Sequence, residues 1–211
     1  DLQTYPRTIE NDIALLSTFE KLIVCIPKEN EVYPFNDPYP NVDLGNLNDI
    51  LEGKYRPGHF EGVAHVVHNL FHFVKPTKAY FGLKDYQQFA VIKKMVKTLG
   101  LPVEPVGCNT YRNTAGLALS SRNKNLNTQQ IEESLIIIET LNFVKENQNR
   151  FNINDLKQEA IRLFNKGNLT LEYLDIVHAE SFKELNEIDE KAVCCIAAYS
   201  EKVRLIDNIL L

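Results

Sequence analysis

The run Gly82-Leu83-Lys84-Asp85-Tyr86-Gln87-Gln88 concentrates groups suited to chemistry on a phosphorylated ligand. It follows a short apolar segment, residues 78–81, and precedes Phe89, Ile92, Met95, Val96 and Leu99 at helical spacing. In open α/β sheets, ligands bind where a strand ends and a helix begins. Gly82 lets a ligand approach the backbone, the first N–H groups of the helix attract an anion, and Lys84 adds a mobile positive charge for phosphate. Asp85 suits ribose hydroxyls, and Gln88, about one turn after Lys84, can face the same cleft. The same residues also compose a plain helix start, with Asp85 as N-cap and Gln88 as its capping-box partner. Spacing alone leaves both readings open.

A second cluster is Gly116-Leu117-Ala118-Leu119-Ser120-Ser121-Arg122-Asn123. Two hydroxyls and a guanidinium fork make an anion clamp, on a loop able to close over a nucleotide. The alternative is a cap before the next helix, with Arg122 paired to a surface carboxylate. His65, His68 and His72 recur at helical spacing, but partly exposed polar positions or interface histidines are the commoner use of such a row, and no metal is expected there. His178 reads as structural, and Cys194-Cys195 as buried strand packing. No G-x-G-x-x-G, Walker A, G-x-S-x-G or H-E-x-x-H pattern occurs, so nicotinamide and P-loop chemistry lack support.

These clusters need elements to hold them. The 211 residues, 44% hydrophobic and 24% charged, suffice for one large or two modest globular domains. A net charge of −5 leaves no basic stripe for nucleic acid, so a small anionic ligand needs a local basic pocket. Four cysteines without a C-x-x-C pair suit a reducing compartment, and neither a membrane span nor a signal segment is evident, so a cytoplasmic protein is expected.

Ile9, Ile13, Leu16 and Phe19 predict a helix, and residues 22–26 a buried strand ended by Pro27. Residues 29–46, with Pro34, Pro38 and Pro40, predict a loop. Val63, Val66, Val67, Leu70, Phe71 and Val74 make a helix face before a short buried strand at 78–81, a helix over 85–99 and a strand over 103–106, a βαβ order. The texture changes after Asn109 and places a boundary between domains 1–112 and 113–211. Helices over 128–144 and 156–164 and strand-like runs at 171–177, 192–199 and 203–209 make the second part a small α+β domain.

Further motifs stand in order beside the two clusters: Asp1-Leu2 with Tyr5-Pro6-Arg7-Thr8, Glu31-Val32-Tyr33-Pro34, Leu51-Glu52-Gly53, Arg56-Pro57-Gly58-His59-Phe60-Glu61-Gly62-Val63, Tyr80-Phe81-Gly82 and Arg204-Leu205-Ile206-Asp207-Asn208. Together they resemble, over essentially the whole chain, the pantothenate synthetases, ATP-dependent ligases that join pantoate to β-alanine. The resemblance implies an α/β fold: a Rossmann-like nucleotidyltransferase domain with a parallel sheet, its first βα unit missing, plus a small α+β C-terminal domain over the site. It also implies a homodimer, and no nucleic-acid or membrane partner. The implied reaction has two steps, formation of pantoyl adenylate and pyrophosphate from ATP with Mg²⁺, then displacement of AMP by the amine of β-alanine.

The resemblance further implies that Gly82, Leu83, Lys84 and Asp85 hold ATP, with Lys84 on phosphate and Asp85 on ribose. Tyr111 would contact adenine through its backbone, and Leu119, Ser120, Ser121 and Arg122 would form a second ATP segment. Lys84, Ser120, Ser121 and Arg122 would act in catalysis, while Gln88, Val63, Val66 and Val67 would bind pantoate. Leu83 and Ala115 depart from the glutamate and aspartate usual at their positions, and His65 and His68 from commoner residues. The family's opening strand, its His-x-Gly-His motif and an early pantoate-binding glutamine would precede Asp1. A βα unit takes at least ~30 residues, so the native product is expected to continue upstream and this chain alone to be impaired. Two alternatives stay open: a related enzyme activating another carboxylate, or a non-catalytic chain that binds nucleotide or dimerises.

Overall fold

The computed structural model describes residues 8–33, 41–188 and 191–211. Helix α1 (Ile9–Leu16) forms but ends before Phe19, which the predicted helix included, and it buries none of its residues. Residues 22–26 do not form the predicted buried strand: Leu22, Ile23, Val24 and Ile26 are exposed, Ile23 at 91%. A strand needs a neighbour for its backbone donors and acceptors, and no described strand lies beside this run. Of the predicted 29–46 loop, residues 34–40 lie outside the described residues, as do the Asp1-Leu2 and Tyr5-Pro6-Arg7 motifs; residues 29–32 form the one-turn helix α2 (Glu29–Val32).

A 3₁₀ turn (Gly45–Asn48) leads into the short helix α3 (Leu51–Tyr55) and then α4 (His59–Val74). Gly53 permits the close fit of α3 on that turn, since a Cβ there would lie 2.2 Å from the Leu47 carbonyl oxygen. Strand β1 (Lys78–Gly82), helix α5 (Tyr86–Leu99) and strand β2 (Glu104–Cys108) realise the βαβ unit. The two strands pair in parallel, Lys78 opposite Glu104 and Gly82 opposite Cys108. β1 is half exposed rather than buried, alternating exposed Lys78, Tyr80 and Gly82 with partly covered Ala79 and Phe81. Val74, predicted on the inner face of its helix, is exposed.

The predicted helix over 128–144 is two, α6 (Thr128–Glu133) and α7 (Leu135–Asn147). At the break the Ser134 hydroxyl donates to the Gln130 carbonyl at 2.6 Å, a local bond that competes with the helix ladder. Helix α8 (Ile153–Phe164) follows, then β3 (Thr170–His178), β4 (Ala192–Ser200) and β5 (Val203–Leu210), an antiparallel sheet in that order.

The central strand explains why sequence there reads as an unbroken apolar run. Successive side chains of a strand face opposite sides. Ala192, Cys194, Ile196 and Ala198 join α7 and α8 in one core, whereas Val193 and Cys195 join Val42, Leu51, Phe60 and Val91 in another. β4 is thus covered on both faces and ties the C-terminal sheet to the part carrying β1 and α5. Burial pushes both the Cys194 and Cys195 thiols up, as suits inert packing residues.

Candidate active site

The Lys84 segment stands at the carboxyl end of β1, where a 3₁₀ turn (Leu83–Asp85) passes the chain into α5. Asp85 occupies the N-cap position, yet its side chain makes no capping bond. Its carboxylate lies 3.8 Å from the Lys84 ammonium. The neighbouring glutamines divide their labour. Gln87 is buried and bonds the 3₁₀ turn and α3, accepting from the Glu52 N–H at 3.0 Å and donating to the Leu47 and Ile50 carbonyls at 2.9 and 3.1 Å. Gln88 faces a cleft instead.

That cleft gathers three parts of the chain. Lys84, Asp85 and Gln88 meet Glu52, Arg56, His59 and Phe60 from α3 and the start of α4, and Ile206, Asp207 and Asn208 from β5. A second cleft brings Lys84 together with Ser120, Arg122 and Asn123 and with residues 204–207. Lys84 therefore lines both, and the two clusters, well separated in sequence, share a wall through it. In a chain of net charge −5, Arg56, Lys84 and Arg122 make this the local basic pocket that a small anion requires.

Two of the three carboxylates that line the first cleft, Glu52 and Asp207, are already committed. Arg204 donates to both oxygens of Glu52, at 2.8 and 2.7 Å, and its Nε donates to Glu172 at 2.9 Å. The Tyr173 hydroxyl donates to Glu52 at 2.8 Å, and Arg56 lies 3.6 Å from it. Arg112 grips Asp207 through two bonds, at 2.6 and 3.0 Å. Burial by itself raises the Glu52 carboxyl, but the bonds and charge of Arg204, with Tyr173 and Arg56, outweigh it and hold Glu52 below the usual carboxylate range.

His59 moves the same way for different reasons: burial and the Arg56 charge hold it below an ordinary imidazole. Arg56 Nη1 donates to His59 Nε2 at 2.9 Å, which requires that nitrogen to be unprotonated. Both shifts make the unfolded chain the better proton acceptor, so stability falls as pH falls. The His59 contribution is lost below its unfolded value of 6.5, and the Glu52 contribution below its unfolded value of 4.5 as pH drops through the folded one. Thermal unfolding followed from pH 8 to 2 should show two stages of declining midpoint, and His59→Asn should remove the upper one. A flat profile between pH 7 and 5 would contradict this.

The other predicted site residues are dispersed. Ser120 Oγ accepts from the Arg122 N–H at 3.3 Å, so it caps the 3₁₀ turn (Ser121–Asn125) while lining the second cleft. Ser121, Leu119 and Tyr111 are exposed, and the Leu119 N–H donates to the Tyr111 carbonyl at 2.9 Å. The Leu83 side chain packs over Gly107, where a Cβ would lie 2.7 Å from Leu83 Cδ2. Val63, Val66 and Val67 are half buried along α4 and line neither cleft; Val67 packs on the core. His178 Nδ1 accepts from the N–H groups of Glu180 and Ser181. The rings of His68 and His72 lie 5.2 Å apart, and among the described residues no three His, Cys, Asp or Glu side chains gather to hold a metal ion. Glu52, Arg56, His59, Asp207 and Asn208 received no role from spacing, although they stand in motifs that carry the family resemblance.

The model of the family described as pantoate-beta-alanine ligase matches residues 1–210. The chain belongs to the pantoate-beta-alanine ligase family. Among its relatives, a pantothenate synthetase of Cytophaga hutchinsonii is 40% identical across the whole of this chain and 76% of its own length. The crystal structure of pantothenate synthetase from Thermus thermophilus superposes with a TM-score of 0.94 at 36% identity, over the whole of this chain and 77% of that one. The family likeness extends to the pantoate-beta-alanine ligase of Francisella tularensis, complexed with beta-gamma ATP and β-alanine, with a TM-score of 0.78 at 33% identity over the whole of this chain and 72% of that one. The α/β class, with a parallel sheet and helices followed by a C-terminal antiparallel three-stranded sheet, is thus the family's fold. Among the described residues no helix is long and apolar enough to cross a membrane.

Proposed function

We propose that this chain ligates pantoate to β-alanine with cleavage of ATP, through a pantoyl-adenylate intermediate. The observation that carries the proposal is the position of Lys84, in the wall shared by the cleft containing Gln88 and the cleft containing Ser120 and Arg122. In the first step a pantoate carboxylate oxygen attacks the α-phosphorus, and the bond to pyrophosphate breaks. In the second, the amine of β-alanine attacks the acyl carbon, the bond to AMP breaks and the amine gives up a proton. Charge accumulates on phosphate oxygens, so fixed cations aimed at them supply the catalysis and no protein nucleophile is needed.

Lys84, Ser120, Ser121 and Arg122 are assigned to the phosphates, Asp85 to ribose, and the backbones of Gly82, Leu83, Leu119 and Tyr111 to the nucleotide. Gln88 is assigned to pantoate, and Val63, Val66 and Val67 to the apolar side of its pocket, which requires α4 to approach the cleft more closely. Mg²⁺ enters as part of MgATP. Glu52 and Asp207 are held by arginines, leaving Asp85 as the carboxylate at the mouth, and a set this small suits an ion carried mainly by phosphate oxygens. Residues 1–112 and 113–211 are the two halves that close on the substrates, in a cytoplasmic homodimer.

AMP release from MgATP, with pantoate and β-alanine supplied separately and together, tests the reaction. AMP only with both acids present supports it; pyrophosphate exchange driven by a different carboxylate would transfer the site to another substrate.

Gly82 offers a sharper local check. A Cβ at Gly82 meets open space, and its φ of −68° suits any residue, so packing does not demand glycine there. Gly82→Ala should stabilise the fold by about 0.4–1 kcal/mol through the unfolded state. If the backbone faces nucleotide, MgATP affinity should fall on the order of 10-fold, about 1.4 kcal/mol. Calorimetric titration and urea unfolding of one preparation read both, and unchanged affinity would remove Gly82 from the site.

A further inference from the structure

Two polar residues side by side on β5 lie almost wholly buried, Asp207 at 4% and Asn208 at 8% exposure. A strand that only packed would carry apolar side chains there, because burying polar groups costs stability unless each is bonded. Here each is bonded, and to a different loop. Asn208 Nδ2 donates to the carbonyls of both Leu83 and Lys84, at 2.8 Å each. Asp207 takes the two bonds from Arg112, whose Nη1 also donates to the Gly116 carbonyl at 3.1 Å. Arg112 in turn bridges Ala118 through the backbone, two residues before Ser120. Asp207 Oδ1 accepts from the Asn208 N–H at 2.8 Å, which couples the two grips.

We infer that Asn208, braced by Asp207, is a positioning residue that holds the Lys84 turn at a set distance from the Ser120–Arg122 segment. The inference rests on the proposed nucleotide role of those two segments and goes beyond it, since Asn208 need touch no substrate. Its amide commits both protons to the turn, so the carbonyls of Leu83 and Lys84 are fixed from the C-terminal half of the chain. Fully satisfied buried networks of this kind specify one geometry rather than merely adding stability. A small displacement of Lys84 from a phosphate is enough to reduce catalysis severely.

The test is a double-mutant cycle between Asn208→Ala and Lys84→Ala in the native protein, read by MgATP affinity and by pantoate-dependent pyrophosphate exchange. Asn208→Ala alone should lower the exchange rate about 10- to 100-fold, the loss expected of two hydrogen bonds that act through Lys84. In the Lys84→Ala background the same substitution should cost less than about 3-fold, because a positioning residue has nothing left to position. Equal losses in both backgrounds, or an Asn208→Ala rate within about 3-fold of the parent, would overturn the inference. If the alanine variant does not fold, Asn208→Ser, which keeps one donor, takes its place in the same cycle with the same criteria. MgATP affinity separates the two levels of argument. A parent protein that binds MgATP without pantoate-dependent exchange defeats the substrate assignment alone, and the cycle is then judged on affinity; a parent that binds no MgATP overturns both.

Discussion

Lys84→Ala is expected to slow adenylate formation on the order of 10- to 150-fold while leaving the fold intact. The figure is about 1.5–3 kcal/mol, the worth of one charge-assisted bond to a phosphate oxygen. The Lys84 side chain is only 14% exposed, and its partner, Asp85, stands at 3.8 Å, beyond a strong hydrogen bond. Its charge is therefore sheltered from water without being consumed, unlike Arg204 and Arg112, which sit in short bonds to Glu52 and Asp207. Removing the ammonium leaves the clasp of Asn208 untouched, because Asn208 bonds the Lys84 carbonyl. The thermal midpoint should stay within a degree or two of the parent. Lys84→Arg should restore only part of the rate, since a planar fork does not occupy the place of a compact ammonium. Pyrophosphate exchange by the alanine variant at the parent rate would return Lys84 to the status of a solvated helix-start residue.

The βαβ unit and the C-terminal strands were legible because short apolar runs alternate there with helical repeats, although β1 and β2 bury none of their residues fully. Residues 78–81 and 103–106, with a helical repeat between them, lead directly to β1, α5 and β2. Residues 22–26 have an equally strandlike composition, but composition carries no information about a partner, and no described strand pairs with them. Gln87 and Gln88 show the same limit. Spacing singles out Gln88, but Gln87 and Gln88 each stand four residues before a buried residue, Val91 and Ile92, so helical phase does not separate them and only the bonds of Gln87 to Glu52, Leu47 and Ile50 do.

The site was half legible for a related reason. Lys84, Asp85 and Gln88 fall within five residues and Ser120, Ser121 and Arg122 are contiguous in sequence, so each cluster could be weighed as a unit. The bonds that bring the clusters together span 95 residues from Arg112 to Asp207, 124 from Lys84 to Asn208 and 152 from Glu52 to Arg204. No local spacing encodes such pairs. The motif Arg204-Leu205-Ile206-Asp207-Asn208 stood out only as part of a family resemblance, and its polar residues prove to be the ones that grip the rest of the site.

Arg204→Met should cost about 3–5 kcal/mol of unfolding free energy at pH 7, the usual penalty when one partner of a buried ion pair is removed. The guanidinium is 17% exposed and bonds both Glu52 at 9% and Glu172 at 14%, so its loss leaves two sheltered carboxylates without their shared cation. Arg56, 3.6 Å from Glu52, compensates in part and is itself drawn away from the cleft. Methionine fills much of the same volume, which separates the loss of charge from the loss of packing. The sign of the pH dependence then decides the cause. In the parent, burial raises the Glu52 carboxyl but Arg204 more than offsets it; without Arg204, burial prevails and Glu52 takes up a proton at higher pH. Once protonated it no longer bears the cost of a buried charge, so the gap between parent and variant should narrow as pH falls from 7 toward 4. Urea unfolding at a series of pH values measures that gap directly. A gap that stays constant to pH 4 would assign the loss to packing, and would leave the Glu52–Arg204 pair as filler between α3 and the C-terminal sheet rather than the charge that joins them.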